Sequence, residues 1–207
     1  YNSWDLVNDI IIVDNSPKRM RIPENLKLTY YHRSDNPGYG AGHNLAITQS
    51  VSSEVDFHLV VNLDVHFEES LLKDLVDFIA TNEAACIVQP SFIFPDGSTQ
   101  KLAKYLPSLV QMALRMIGLG RVNWWNIEIE TDHLTVPFPC PYLSGCFLLM
   151  RCSSVMDTGM FDERYFMYPE DIDLSRRYAS INGAWVIPTQ VACHEYGGAS
   201  KKSLKMF

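Results

Sequence analysis

Phe57-His58-Leu59-Val60-Val61-Asn62-Leu63-Asp64 passes from an apolar, β-branched run to a polar tail. The first five residues read as a buried strand, and the tail delivers Asn62 and Asp64 just past its end. Glu68 to Ala80 follows as the clearest helix of the chain. Leu71, Leu72, Leu75, Val76 and Ile79 recur there at helical spacing, with acidic residues in the first turn. Ala85 to Val88 then reads as another strand.

The alternation extends in both directions from this unit. Upstream, Asp9-Ile10-Ile11-Ile12-Val13-Asp14 reads as a buried strand closed by the turn Asn15-Ser16-Pro17, and Lys27 to Tyr31 as a second strand. The run Asn36-Pro37-Gly38-Tyr39-Gly40-Ala41-Gly42 is too rich in glycine to predict regular structure, and His43 to about Ser50 predicts a short helix. Downstream, Phe94-Pro95-Asp96-Gly97 is a tight turn. Tyr142 to Met150 reads as a long buried strand, Asp171 to Ser180 begins a helix, and Trp185 to Ile187 is a last short strand before His194. Strands and helices alternating at this pitch predict an α/β fold with a mostly parallel central sheet flanked by helices. Such sheets bind ligands beyond the carboxyl ends of their strands, where Asp14, the glycine run and Asp64 would lie.

At 207 residues, 47% apolar and 20% charged, the chain has the profile of a folded single domain with a substantial core. Its net charge of -7 argues against a duplex nucleic-acid partner. The cysteines, Cys86, Cys140, Cys146, Cys152 and Cys193, are odd in number, lack C-x-x-C spacing and mostly lie in apolar runs. They read as reduced and structural, which favours an intracellular compartment. No signal peptide is visible, nor a run of eighteen apolar residues that would span a membrane. The chain does not open on Met, and its first element reads as already under way.

Among candidate sites, Gly38-x-Gly40-x-Gly42 has neither dinucleotide nor Walker spacing. It reads either as a plain turn or as a loop whose N–H groups face a ligand, bracketed by Asn36 and Asn44. Asn62-x-Asp64 places an amide and a carboxylate on one side of an extended segment. They suit a hard divalent ion that also bridges phosphates; the plain alternative is a turn ahead of the Glu68 helix. Glu170-Asp171-Ile172-Asp173 sets three carboxylates after the aromatic run Tyr165-Phe166-Met167-Tyr168-Pro169. One acid is explained as a helix cap. Mutual repulsion among the three raises the proton affinity of one and suits it as a base. His194, in Ala192-Cys193-His194-Glu195-Tyr196-Gly197-Gly198, is a lone histidine, more often packed or surface than a ligand; His32, His58 and His133 read as packed or surface residues, and His43 as a cap.

Leu106 to Leu119 is apolar on most of its circumference. It carries Arg115, is flanked by Lys101, Lys104 and Arg121, and precedes Trp124-Trp125. It suits either an interface with lipid headgroups or packing of Leu109, Met112, Met116 and Leu119 into the core or a dimer contact. A net charge of -7 opposes anionic lipid and leaves only the local basic residues and the Lys201, Lys202 and Lys205 tail to help, so the expected membrane contact is weak, peripheral and salt-sensitive.

Taken in order, these stretches resemble the family-two glycosyltransferases of the GT-A (nucleotide-diphospho-sugar transferase) fold, most closely their rhamnosyltransferase-like branch. The matching pieces begin with Ile11-Ile12-Val13-Asp14-Asn15-Ser16, Asn36-Pro37-Gly38-Tyr39-Gly40-Ala41-Gly42-His43-Asn44 and Val61-Asn62-Leu63-Asp64-Val65. Pro95-Asp96-Gly97-Ser98, Leu143-Ser144-Gly145-Cys146-Phe147-Leu148-Leu149 and Gly159-Met160-Phe161-Asp162-Glu163 continue the series. It closes with Tyr165-Phe166-Met167-Tyr168-Pro169-Glu170-Asp171-Ile172-Asp173-Leu174 and His194-Glu195-Tyr196-Gly197-Gly198. The resemblance covers nearly the whole chain.

It implies one glycosyltransferase domain over 1–207, with a nucleotide-binding half to about residue 98 and an acceptor-side half beyond. The first strand of the family would be absent. Asp171 would deprotonate the acceptor hydroxyl. Asp14 would read the nucleotide base, with Asn15, Asn36, Gly40, Asn44, Asn62 and Asp64 on the nucleotide and donor side. Asp64 and His194 would hold a divalent metal, Mg²⁺ or Mn²⁺. Asp96, Ser144, Gly145 and Glu170 would lie near the sugar and the acceptor. The implied reaction is inverting transfer of rhamnose or another hexose from a nucleotide-diphosphate sugar donor. The acceptor would be a glycan or lipid-linked hydroxyl in cell-surface polysaccharide synthesis, and the place of action cytoplasmic, at the inner membrane face. The alternatives are a truncated or inactive carbohydrate-binding relative and a sugar-phosphate nucleotidyltransferase. The latter should carry a glycine-rich loop with Arg and Lys on its first strand, and none is seen.

Overall fold

The computed structural model describes residues 5–22, 28–106, 128–131 and 133–195. In chain order its elements begin with strands β1 (Ile11–Asp14) and β2 (Thr29–His32), helix α1 (Tyr39–Ser52), strands β3 (Phe57–Val61) and β4 (Val65–His66), and helix α2 (Glu69–Thr81). Strands β5 (Ile87–Ile93), β6 (Thr99–Gln100), β7 (Phe138–Pro139) and β8 (Phe147–Arg151) follow. Helices α3 (Cys152–Thr158) and α4 (Pro169–Ala179) and strand β9 (Ala184–His194) complete them.

The expected α/β architecture is present, but the central sheet is mixed rather than mostly parallel. Its order is β3-β8-β5-β9-β4, with β6 on β5 and β7 on β9. β5 and β9 run parallel, whereas β8 is antiparallel to both β3 and β5, and β4 and β7 are antiparallel to β9. β1 and β2 form a separate parallel pair. An apolar run reports burial on both faces and carries no direction, so the polarity of β8 is invisible in its residues. Because β8 lies between β3 and β5, the two halves of the chain share one sheet.

The pleat explains the core. Along β8, Leu148 and Met150 join one apolar cluster with Ile47, Leu174 and Tyr178, while Phe147 and Leu149 join another with Leu71, Leu75 and Ile79. The first cluster lies under α1, α3 and α4, and the second under α2. Each such side chain contributes about 1.5–3 kcal/mol on burial.

Two elements begin or end where the sequence does not announce it. Helix α1 starts at Tyr39, inside the glycine run, because small residues are needed at its contacts. A Cβ on Gly40 would lie 2.8 Å from that of Phe161. Gly38 (φ 106°) has no room either, since a Cβ there would meet the Phe166 carbonyl at 2.5 Å. Strand β5 continues past Val88 through Pro90, absorbing the proline with a register shift against β9 at Pro90/Ser91. The five cysteines are free. Apart from Leu106, the apolar stretch to Leu119, Trp124-Trp125 and the three terminal lysines lie outside the described residues. No helix among the described residues is long and apolar enough to cross a membrane.

Candidate active site

The carboxyl ends of β3, β5 and β9 and the amino end of β8 meet at one edge of the sheet. Strand β4 follows β3 after the three-residue connection Asn62-Leu63-Asp64 and pairs antiparallel with β9, setting Val65 opposite His194. The Glu195 N–H donates to the Asp64 carbonyl at 2.9 Å and locks that register. Consequently Asp64 Oδ1 and His194 Nε2 stand 3.4 Å apart, although 130 positions separate them in the chain. His194 is buried, while the Asp64 side chain is 39% exposed and faces solvent beyond the sheet edge.

Across the same edge, α4 presents Glu170 and Asp171 in its first turn. Tyr168, at its N-cap, adopts φ 82°, a costly conformation for a non-glycine residue, and Pro169 follows at the first helical position. The hydroxyl of Tyr142 donates to Asp171 Oδ2 at 2.9 Å, and the Gly145 N–H donates to the same oxygen at 3.3 Å. Asp171 Oδ1 is buried with no hydrogen-bond partner among the described residues, as is Glu170 Oε2. Burial, and then the charge of Glu170, push the Asp171 carboxyl up to about 7. Burial also raises Glu170. A carboxylate held by one oxygen, with the other oxygen bare and a proton affinity near neutrality, is suited to general-base work.

The segment 142–146, expected as strand, is instead a loop whose backbone is tied down residue by residue. Ser175 Oγ accepts from the Leu143 N–H and donates to its carbonyl, both at 3.0 Å. Gln89 Oε1 accepts from the Ser144 N–H at 2.9 Å, and Asp171 accepts from that of Gly145. Tyr39 spans the site: its hydroxyl donates to the Gly145 carbonyl at 2.7 Å and lies 3.0 Å from Asn62 Oδ1. Burial holds the Tyr39 and Tyr142 phenols well above their ordinary range, so both remain neutral donors. A Cβ on Gly145 would press Tyr39 at 3.3 Å and Asp171 at 3.4 Å, which accounts for glycine there.

Asp64, His194, Asn62, Ser144, Gly145, Glu170 and Asp171 thus converge on one edge. Other expected site residues are committed elsewhere. Asn44 has both ends of its amide engaged: Nδ2 donates to the Phe161 carbonyl (2.8 Å) and to Glu163 Oε1 (2.9 Å), and Oδ1 accepts from the Phe161 N–H (3.0 Å). It staples α1 to the segment ahead of α4. Gly40 is buried against Phe161 and Glu170 and fills a packing contact, not a ligand-facing loop. Asp96 accepts from Ser98 N–H at 2.9 Å and from its hydroxyl, capping its own exposed turn. Asn36 is exposed at φ 42°, with its N–H on the Arg33 carbonyl at 3.0 Å. Asn15 Nδ2 donates to the Gly38 carbonyl at 3.3 Å, and its Oδ1 is buried without a partner among the described residues.

Asp14 ends β1 with its carboxylate filled. Ser16 N–H and hydroxyl reach Oδ1, and Met20 N–H and the Tyr30 hydroxyl reach Oδ2. The Ser16 hydroxyl, then Tyr30 and the two backbone donors, hold it well below the usual carboxylate range. In this conformation it organises the loop over residues 16–20.

Tyr39, Gln89, Gln100 and Tyr142 were not expected from sequence. Gln89 and Gln100 carried a signal, each being a lone amide in or beside an apolar strand. The tyrosines carried none, since aromatic residues there also suit the core.

The chain is 33% identical over 154 residues to an N-acetylglucosaminyl-diphospho-decaprenol L-rhamnosyltransferase of Mycobacterium tuberculosis, covering 69% of this chain and 50% of that protein. It is 26% identical over 150 residues to the rhamnosyltransferase WbbL of Escherichia coli, covering 67% and 54%. The chain spans about half the length of the curated relatives it matches. No family model matches it. Among solved structures, GalNAc-T7 with UDP, GalNAc and Mn²⁺ superposes with a TM-score of 0.61 at 11% identity, over 90% of this chain and 37% of that one. A mycobacterial protein superposes at 0.52 and 12% identity, over 94% and 60%.

Proposed function

The chain belongs to the family-two glycosyltransferases of the GT-A fold, in their rhamnosyltransferase-like branch, and from that premise we propose what its site does. It transfers a deoxyhexose or hexose, rhamnose first among them, from a nucleoside-diphosphate donor to a hydroxyl of a lipid-linked glycan. The observation that carries this reading is the bare Asp171 Oδ1, with the carboxyl raised to about 7, on the same sheet edge as the Asp64–His194 pair.

Asp171 takes the proton of the acceptor hydroxyl on Oδ1 as that oxygen attacks the anomeric carbon. Tyr142 and Gly145 hold Oδ2 meanwhile, so the carboxylate keeps its orientation. The leaving diphosphate departs from the opposite face of the sugar, so a single displacement inverts the anomeric centre.

The donor set at the sheet edge fits a divalent cation. An oxygen and an imidazole nitrogen 3.4 Å apart are close enough to share one ion. No group of three or more His, Cys, Asp or Glu suited to a metal occurs among the described residues, so two protein donors leave room for phosphate oxygens. Asp64 and His194 would hold Mg²⁺ or Mn²⁺, which neutralises charge on the departing diphosphate when bound. Asn15 and Asn62 lie on the donor side. A lipid-linked acceptor brings the chain to the membrane face that carries it.

The test is transfer of radiolabelled rhamnose from its nucleoside-diphosphate donor to N-acetylglucosaminyl-diphospho-polyprenol, with the product anomer read by NMR. Metal-stimulated transfer with inversion supports the reading. Carbohydrate binding without transfer would favour an inactive relative, and retention of configuration would remove Asp171 as base.

A further inference from the structure

The turn at Phe94–Gly97 returns the chain as β6, whose last residue, Gln100, is buried. Its register sets Gln100 opposite Phe92 on β5, and Phe92 in turn lies opposite Ala192 on β9. The amide therefore crosses the end of β5 and meets the next inward-facing residue of β9, His194. Gln100 Oε1 lies 2.9 Å from His194 Nδ1.

That contact fixes more than position. An amide oxygen has no proton, so with Gln100 Oε1 turned toward the ring it is Nδ1 that donates. A neutral imidazole has a single N–H, and with Nδ1 protonated the lone pair belongs to Nε2. Nε2 is the atom that stands 3.4 Å from Asp64 Oδ1. The opposite tautomer would turn the pair into an ordinary His–Asp hydrogen bond and leave no nitrogen lone pair there.

We propose that Gln100 is a positioning residue for the cation site: it holds His194 in the Nδ1–H tautomer, so that Nε2 faces the ion shared with Asp64. The inference rests on the reading of Asp64 and His194 as a metal-holding pair. It also gives the 93–100 hairpin a purpose that its exposed turn, with Asp96 bonded to Ser98, does not supply. Outer partners of this kind typically change metal affinity by about 10–100-fold when removed.

Two measurements test it. Long-range ¹⁵N–¹H NMR of the parent chain without metal at pH 8 reports the tautomer directly, with the His194 signals assigned by their loss in His194→Gln. Nδ1–H is expected. An Nε2–H ring overturns the inference without any substitution that could disturb the fold. Calorimetry then compares the binding of UDP and of dTDP in Mn²⁺ and in EDTA. In Gln100→Leu the enhancement by Mn²⁺ should fall about 10–100-fold while affinity in EDTA stays at the parental value. Gln100→Glu, which keeps an acceptor oxygen, should retain the enhancement. If the parent is enhanced by Mn²⁺ and His194→Ala is not, yet Gln100→Leu keeps the full effect, the inference fails alone. If the parent itself shows no enhancement, the metal pair fails and takes the inference with it.

Discussion

Replacing Asp171 with Asn separates the two properties that its environment imposes. The carboxyl titrates near 7 because it is buried beside Glu170, against an ordinary value of 3.8. A shift of that size costs the ionised native state on the order of 4 kcal/mol. The native carboxyl binds its proton more tightly than the unfolded one, so this stability is present at low pH and lost as pH rises through about 7. Asn never ionises. It keeps an oxygen for Tyr142 and Gly145 but places an amide where Oδ1 now has no partner, a cost that is the same at every pH and drops out of the comparison. Asp171→Asn should therefore gain about 1–3 kcal/mol relative to the parent between pH 5 and pH 8.5, read by urea unfolding at both values. Its transferase turnover should fall by about 10²- to 10⁴-fold with donor affinity unchanged. A stability difference independent of pH would refute the burial argument. Turnover near the parental rate would place the base elsewhere, with Glu170 the next to test.

The pH–rate profile of the parent should rise through about 7 as Asp171 loses its proton, and because the Tyr142 hydrogen bond lowers that carboxyl, Tyr142→Phe should move the rising limb to higher pH. A limb that stays in place would show that Tyr142 does not act on the base. Asn44→Ala strands the Phe161 N–H and carbonyl in the interior and should destabilise the chain by about 2–4 kcal/mol in urea melts. Nucleotide affinity should be unchanged; a selective loss of affinity with stability intact would return Asn44 to the ligand. Co-sedimentation with anionic vesicles should be weak at low salt and absent at high salt, since a net charge of -7 opposes the local basic residues. No pelleting at low salt would remove the membrane contact.

What was legible in the sequence has a physical origin. Asp64 and His194 stand where apolar strand runs give way to polar residues, and Asp171 stands in a cluster of three acids where a helix cap explains one, so all three could be picked out as candidates. Helix α2 was legible because Leu71, Leu72, Leu75 and Ile79 form one buried stripe. The direction of β8 was not, since its residues are buried on both faces and would be so in either polarity. Nor was the length of β9, where Pro188 and Thr189-Gln190 interrupt the apolar run although the strand continues to His194.

The glycine run misled for a different reason. Glycine was read there as freedom of the backbone, which only Gly38 uses among the three. Gly40 and Gly42 are helical, and their missing side chains let α1 press against Phe161 and Asn15. That close seating brings Tyr39, at the first turn of α1, within reach of both Asn62 and Gly145. The Asn62 turn and the loop that holds Asp171 therefore share one hydroxyl, on a helix anchored from behind by Asn44. The run matters to the site through the position it allows a tyrosine to take.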